Sequence, residues 1–236
     1  MSAVHELREK LVNCLRIFDR TALLGMYGHV SIRLPEVEEF LINPGAGSDK
    51  SALRPEDLLR VNFRGEKLEG AAGLPLEVVM HTAIHRRCED AVAIAHVHPP
   101  WATLFAIART PVRPVVLHGA LFGNGVPVFD KAEFIITEEE GEELAEFRGD
   151  HRVILLRCHG SIVVGGSLEE VVFVSFTLEE NAELQYRAAS LGELDPMRPH
   201  EVEKVRTSPR QEIRWRKFWD YQVSQLKAGR LAPGST

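Results

Sequence analysis

The pattern of apolar and polar positions predicts an alternation of helices and short strands. From Val4 to about Leu24, apolar residues recur at helical spacing, which predicts an amphipathic helix at the start of the fold. Three short strand-like segments follow, HVSIRL, EFLINP and LLRVNF, separated by turns rich in Gly, Pro, Asp and Lys. A second amphipathic helix is predicted from Leu76 to Arg87, because its apolar side chains share one helical face.

Continuous apolar runs in the second half of the chain predict buried strands. Residues 91–97 and 152–158 are such runs, and a helical pattern follows each of them, the second from about Leu168 to Ala189. Strands that alternate with helices, some close enough for hairpins, indicate one α/β domain with a mixed or antiparallel sheet. We expect this domain to span residues 1–192. Residues 193–236 are then a proline-containing connector and an aromatic-rich helix, packed on the body or on a neighbouring subunit.

The composition argues against nucleic-acid and membrane partners. The 236 residues are 44% hydrophobic and 26% charged, with a formal net charge of -6, which argues against a nucleic-acid partner. No apolar run approaches the roughly 20 residues that span a bilayer, and the amino terminus lacks the apolar core of a signal peptide, so no membrane partner is expected. The three cysteines are scattered along the chain, which indicates reduced thiols in a cytoplasmic protein.

Histidines at predicted strand ends are the main candidates for chemistry. His96 and His98 are two residues apart on a strand, so both side chains point to the same face. His159 also follows an apolar strand, with Gly160 beside it. Three imidazoles at strand ends are suited to binding one divalent cation. Hydrogen-bonded core or turn histidines remain the alternative.

Glu77 supplies a carboxylate just before the His-x-His strand. In the first turn of a helix, a glutamate often only complements the helix dipole. Its position also permits a role as a catalytic group or as a fourth metal ligand.

Four motifs together resemble the class II aldolase/adducin family. They are GHVSIR (28–33), PLEVVMH (75–81), AHVHPPWAT (95–103) and LLRCHGSIVVGGSLEE (155–170). The resemblance implies a three-layer α/β/α fold with a mostly antiparallel central sheet, and a homotetramer. It implies one divalent metal ion per subunit, bound by His96, His98 and His159, with Glu77 as a ligand or as the acid/base. We favour Mn, with Zn, Fe(II) or Co as alternatives, and expect no organic cofactor.

Two motifs depart from those of the sugar-phosphate aldolases. Members that act on sugar phosphates usually carry Gly-Asn at the first motif and Ser-Ser-Glu at the second, where this chain has Gly28-His29 and Leu74-Pro75-Leu76-Glu77. Apolar side chains and a proline without an N–H offer few hydrogen-bond donors, so they are poorly suited to binding a phosphate dianion. The chain looks most like the branch that decarboxylates hydroxypyridine and dihydroxyphthalate carboxylic acids.

The expected activity is therefore metal-dependent, non-oxidative decarboxylation of a hydroxylated aromatic or pyridine carboxylic acid. The metal ion would stabilise an enolate-like intermediate, and Glu77 is the first choice for the group that protonates carbon, with His29 second. Alternatives are an aldolase or epimerase of sugar acids or sugar phosphates, an iron-dependent oxidative decarboxylase of hydroxybenzoates, and a non-catalytic adducin-like module.

Several further residues are candidates for binding the substrate, and each also has a structural alternative. They are His29, Ser31, Arg33, Leu74, Leu76, Trp101, His118 and Tyr221.

Overall fold

The computed structural model describes residues 3–45, 47–123 and 125–229 of the chain. The predicted C-terminal segment is therefore described only as far as residue 229. Eight strands are present in the described part: β1 (His29–Arg33), β2 (Glu39–Ile42), β3 (Leu59–Asn62), β4 (Lys67–Glu69), β5 (Ala93–Val97), β6 (Val128–Phe129), β7 (Val153–Leu156) and β8 (Gly160–Gly165).

The helices of the described residues agree with the predicted alternation. The opening helix, the helix before the His-x-His strand and the long helix after the last strand are all present. The α-helices are α1 (Ala3–Arg20), α2 (Val78–Arg87), α3 (Pro100–Ile107), α4 (Glu138–Arg148), α5 (Leu168–Ala189), α6 (Pro199–Arg206) and α7 (Gln211–Lys227).

The strands form one sheet in the order β4-β3-β2-β1-β5-β8-β7-β6. Neighbouring strands pair antiparallel, except that β6 runs parallel to β7. The expectation of a mostly antiparallel sheet is therefore refined, because the sheet is mixed. A parallel neighbour requires a long crossover connection, and the chain between β6 and β7 contains α4.

Side-chain alternation along the central strands creates two packed layers. On β5, Ala93, Ala95 and Val97 belong to a core cluster that also contains apolar residues of α1, α3 and α5, whereas Ile94 packs in a second cluster with residues of α2 and α4. Since side chains alternate along a strand, His96 lies on the α2 side with Ile94. The resulting architecture has helices on both faces of the sheet.

Strand register places the first motif beside the His-x-His motif. β1 and β5 pair antiparallel with His29 opposite His96 and Ser31 opposite Ile94. Val30 and Ile32 pack in the first core cluster, so His29 and Ser31 face α2. Two sequence motifs more than 60 residues apart therefore share one surface of the sheet.

The aromatic-rich C-terminal helix packs on the same chain. Trp219 is buried in the first core cluster, and the Phe218 ring lies 5.5 Å from Phe173 and 5.1 Å from Phe176, both on α5. These contacts lie within one chain, and packing on a neighbouring subunit stays a prediction. Within the described residues, no helix combines the length and the apolar character that crossing a membrane requires.

Candidate metal centre

Three predicted histidines converge where β5 and β7 end. His96 is the fourth residue of β5, His98 follows that strand, and His159 lies in the tight turn between β7 and β8. The ring of His96 lies 4.6 Å from that of His98 and 4.8 Å from that of His159. One ligating atom from each of the three lies within 4.8 Å of the others. The structure therefore assembles the predicted set of three imidazoles.

Backbone carbonyls orient two of these rings. His96 Nδ1 donates to the carbonyl of Ser161 at 3.1 Å, and His98 Nδ1 donates to the carbonyl of Leu24 at 3.2 Å. A neutral imidazole that carries its proton on Nδ1 has its lone pair on Nε2. Metal-ligating histidines commonly donate their second nitrogen in this manner, because the bond holds both the tautomer and the ring orientation.

The protonation states also fit a metal ion. Burial, followed by the neighbouring imidazoles, lowers the pKa of His96 well below its usual range, and burial lowers the pKa of His98. The buried Nε2 of His96 has no hydrogen-bond partner among the described residues. A desolvated lone pair without a donor is costly unless a cation or proton approaches it. The donor set therefore fits a divalent cation.

Glu77 completes the cluster. It is the N-cap residue of α2 rather than a first-turn residue, and its side chain does not cap the helix. Its Oε1 accepts a hydrogen bond from the backbone N–H of Ile135 at 2.9 Å, while Oε2 lies 3.4 Å from His159 Nε2 and 3.8 Å from His96 Nε2. The carboxylate faces the histidines, so complementing the helix dipole does not account for its position.

The charge balance around Glu77 favours a cation. The carboxylate is buried, and among the described residues only His96 and His159 place a basic nitrogen within ion-pair distance of it. His96 is neutral, because burial lowers its pKa. A buried carboxylate without a permanent positive partner is costly, and a divalent cation at the cluster would supply that charge.

His29 also reaches the cluster, but Ser31 does not. His29 is 2% exposed, its ring lies 4.8 Å from that of His96, and one of its nitrogens lies within 4.8 Å of a Glu77 oxygen. Ser31 is fully buried and bonds to His81 and His85 instead. The expectation that Ser31 contacts a substrate is therefore corrected, because no surface of this residue is open to a ligand.

Arg33 lies at the far end of β1 and ties this strand to α2. Its guanidinium donates to the carbonyls of His85 and Cys88, the latter at 3.0 Å, and lies 4.6 Å from the centre of the Phe63 ring. Arg33 is four positions from His29 along the strand, a distance of about 13 Å. The structural alternative for Arg33 therefore accounts for all its described contacts.

Three further candidates lie against α5 or on the surface. The Trp101 ring lies 5.3 Å from Tyr186, and the His118 ring lies 5.2 Å from Phe173. Tyr221 is an exposed residue of α7. None of the three has a described contact with the histidine cluster, so the structure gives them packing or surface positions within this chain.

Two exposed apolar side chains lie next to residues of the cluster, one along the chain and one in space. Leu76, next to Glu77, is 68% exposed, whereas Leu74 is half-buried against the core of β2 and β3. Phe134, which the sequence patterns did not single out, is 65% exposed with its ring 5.9 Å from that of His159. Its only sequence signal is an apolar Phe-Ile-Ile run between charged residues, just before the Thr137 cap of α4.

Residues 9–186 match the family described as Class II Aldolase and Adducin N-terminal domain. The 3,4-dihydroxyphthalate decarboxylase of Rhodococcus jostii (strain RHA1) is 29% identical over 184 residues, which cover 73% of this chain and 76% of that protein. Human beta-adducin is 29% identical over 219 residues, which cover 84% of this chain and 30% of adducin. The L-fuculose-1-phosphate aldolase structure from Thermus thermophilus is 32% identical, with a TM-score of 0.66 over 83% of this chain and all of the aldolase.

The family match covers most of the opening helix, the whole sheet and most of α5, and therefore includes all four residues of the candidate metal centre. This family includes metal-dependent lyases, and adducins also match this chain. The chain belongs to the class II aldolase and adducin family.

Proposed function

We propose that this protein is a divalent-metal-dependent carbon–carbon lyase that removes CO2 from a hydroxylated aromatic or pyridine carboxylic acid. The observation that carries the proposal is the convergence of His96, His98 and His159 with the buried Glu77 carboxylate. A purely structural module has no need for several desolvated lone pairs directed at one point. This argues against the adducin-like, non-catalytic alternative.

A divalent cation bound by the three histidines would act as a Lewis acid toward a substrate oxygen, and this favours breaking a bond to the neighbouring carbon. Three imidazoles suit Mn, Zn, Fe(II) or Co, and we retain Mn as the favoured ion because of the resemblance to the decarboxylases. Metal analysis of the purified protein tests this choice.

Glu77 is the proposed acid/base. Ile135 N–H holds Oε1, so Oε2 remains available beside the histidines to give or take a proton. Decarboxylation replaces a carboxylate on carbon with hydrogen, so one proton must reach that carbon as CO2 leaves. Protonated Glu77 would donate this proton and regain one from solvent.

The entrance favours a flat, apolar ring. Leu76 and Phe134 expose their side chains beside Glu77 and His159, and burying them against a ring contributes on the order of 25 cal/mol per Å2. Pro75 has no N–H to donate to a phosphate, and a buried dianion without donors costs several kcal/mol. The similarity to a 3,4-dihydroxyphthalate decarboxylase supports the same substrate class.

A sugar-acid or sugar-phosphate aldolase is the second candidate. The 32% identity to an L-fuculose-1-phosphate aldolase favours it, and a divalent cation held by the same four residues would also supply the Lewis acid for aldol cleavage. An iron-dependent oxidative decarboxylase is a third candidate, distinguished by its consumption of O2.

One set of assays separates these activities. The protein, loaded in turn with Mn, Zn, Fe(II) and Co, is supplied with hydroxylated benzoic, phthalic and pyridine carboxylic acids and, separately, with sugar phosphates. We expect anaerobic CO2 release from an acid and no aldehyde from the sugar phosphates. Aldehyde release alone would replace the decarboxylase with an aldolase, and CO2 release that requires O2 would indicate the oxidative reaction.

The homotetramer expected from the family belongs to the same proposal. Light scattering of the purified protein should give four times the mass of one chain. A monomer mass would contradict it.

A further inference from the structure

A continuous chain of hydrogen bonds extends from His29, beside the candidate metal centre, into the contact between β1 and α2. His29 Nδ1 lies 2.7 Å from His81 Nε2, and His81 Nδ1 lies 2.6 Å from Ser31 Oγ. Ser31 Oγ in turn lies 2.8 Å from His85 Nε2, and His85 Nδ1 lies 2.9 Å from the carbonyl oxygen of Ala91. We call His81, Ser31, His85 and the Ala91 carbonyl the relay.

The elements explain why these groups align. His29 and Ser31 are two residues apart on β1 and therefore share a face, while His81 and His85 are four apart on α2 and lie one turn from each other. All four side chains are at most 2% exposed. Water therefore does not compete for their hydrogen bonds.

The far end of the relay sets the direction of every bond. The Ala91 carbonyl can only accept, so His85 must donate from Nδ1, and its neutral Nε2 must accept. Ser31 has a single proton, which it gives to His85 Nε2, so its oxygen accepts from His81 Nδ1. His81 Nε2 then has a lone pair, which accepts from His29 Nδ1.

The imidazoles of the relay are neutral, as this scheme requires. Burial, with a smaller effect of Arg33, lowers the pKa of His85 to about 3. Burial and then His85 lower the pKa of His81 well below its usual range. With His81 neutral and accepting, the proton of His29 lies on Nδ1.

We propose that the relay holds His29 in the Nδ1–H tautomer, so that the lone pair on its Nε2 faces Glu77 and the metal centre. His81, Ser31 and His85 are then positioning residues that act through His29. In this tautomer Nε2 carries no proton, so the proposal does not give His29 its second-choice role of protonating carbon.

This orientation selects one kind of substrate group, an inference that rests on the proposed function. A lone pair accepts a hydrogen bond from a substrate hydroxyl and repels a carboxylate or phosphate oxygen. His29 therefore favours a ring that carries a hydroxyl at this position. A methyl ether at the same position has no proton to give.

Neutron diffraction from perdeuterated crystals of the full-length, Zn-loaded protein tests the relay directly. We expect deuterium on Nδ1 of His29, His81 and His85, and the Ser31 deuterium directed at His85. Deuterium on Nε2 of His29 or His81 would overturn the proposal. This measurement does not depend on any activity of the protein.

Calorimetric binding tests the consequence for the substrate. The probes are 2,3-dihydroxybenzoate and 2-hydroxy-3-methoxybenzoate, which share a carboxylate with an ortho hydroxyl for the metal and differ at the second oxygen. Ser31→Ala interrupts the relay, Ser31→Thr preserves its hydroxyl, and Ser175→Ala removes another fully buried serine hydroxyl, bonded only to Val171 in the described structure.

We expect the preference for the dihydroxy probe to fall about fivefold in Ser31→Ala, the value of one lost hydrogen bond. Ser31→Thr and Ser175→Ala should keep the wild-type preference. An unchanged preference in Ser31→Ala, with deuterium on His29 Nδ1, would overturn the role in specificity. Failure of both probes to bind the wild-type protein would overturn the proposed substrate class and this hydroxyl preference. The proton positions in the relay are tested independently by the neutron map.

Discussion

Histidine side chains in this protein differ in role according to what each Nδ1 contacts. His96 and His98 donate from Nδ1 to backbone carbonyls, and their Nε2 lone pairs are free for a metal ion. In the proposed scheme His29 donates to the imidazole of His81, and His85 donates to the carbonyl of Ala91 at the far end of the relay. The neighbours of each imidazole are therefore the basis for the three roles proposed here: metal ligand, substrate contact and positioning group.

Replacing one proposed ligand should remove the metal. His98→Ala leaves two imidazoles and a carboxylate, so we expect bound metal to fall below about a tenth of the wild-type content. His118→Ala is the matched control, since that ring packs on Phe173 away from the cluster. Elemental analysis after dialysis measures the metal content, and circular dichroism verifies the fold. Unchanged metal content in His98→Ala would refute the ligand assignment.

Glu77→Gln separates the acid/base from the ligand role. Glutamine preserves an acceptor for the Ile135 N–H but cannot exchange a proton, so kcat should fall by about 10²–10⁴ while bound metal is retained. Glu179→Gln is the control, because Glu179 is a half-buried carboxylate that accepts from the backbone of α3 instead. Loss of metal in Glu77→Gln, but not in Glu179→Gln, would identify Glu77 as a ligand.

At the level of elements, α2 serves both the metal centre and the relay. Its N-cap residue is Glu77, and His81 and His85 occupy successive turns facing β1. Arg33 links β1 to the C-terminal end of the same helix by donating to the carbonyls of His85 and Cys88, and it also donates to the Ala91 carbonyl in the segment before β5. The arrangement of one helix against one strand therefore sets the position of most of the buried polar groups of the site.

The C-terminal helix contributes to stability through one face. Trp219 on α7 is 8% exposed, so Trp219→Ala should lower the free energy of unfolding by about 3–5 kcal/mol. Tyr221→Ala on the same helix removes a 58% exposed ring and should change it by less than about 0.5 kcal/mol. Urea denaturation measures both. Equal effects would contradict the described packing of α7.

For the whole molecule, buried neutral histidines make stability depend on pH. The pKa of His85 is about 3 in the folded protein and near its ordinary value of 6.5 in the unfolded chain. Between these values the unfolded chain binds more protons, so stability falls as pH decreases below 6.5. His29, His81 and His96 have pKa values shifted in the same direction by burial and add to the effect.

Removing one titrating group should reduce this dependence. In excess chelator, His85→Gln should lower the slope of unfolding free energy against pH between about 4 and 6 by about 1.4 kcal/mol per unit. His200→Gln on α6 is the control, since that side chain is exposed to solvent in both states. Urea denaturation at a series of pH values gives the slopes. An unchanged slope in His85→Gln would show that His85 is protonated in the folded protein.

The amino-acid sequence was sufficient to predict the order of helices and strands and to nominate the residues of the candidate metal centre. Apolar periodicity reports which side chains share a face of one element, and this was sufficient to place His96 and His98 together and to predict α1, α2 and α5. The motif resemblance then associated His159 and Glu77 with them.

The spatial relation of these groups depends on tertiary contacts that the sequence patterns do not report. Periodicity carries no information about what packs on a face, so it did not show that α2 covers Ser31 or that Arg33 bonds to carbonyls. The parallel pairing of β6 with β7, the exposed Phe134 beside His159 and the direction of the relay all depend on contacts between distant segments. Hydrogen-bond direction in particular is set by the Ala91 carbonyl, and its consequence appears only at His29, across three buried side chains.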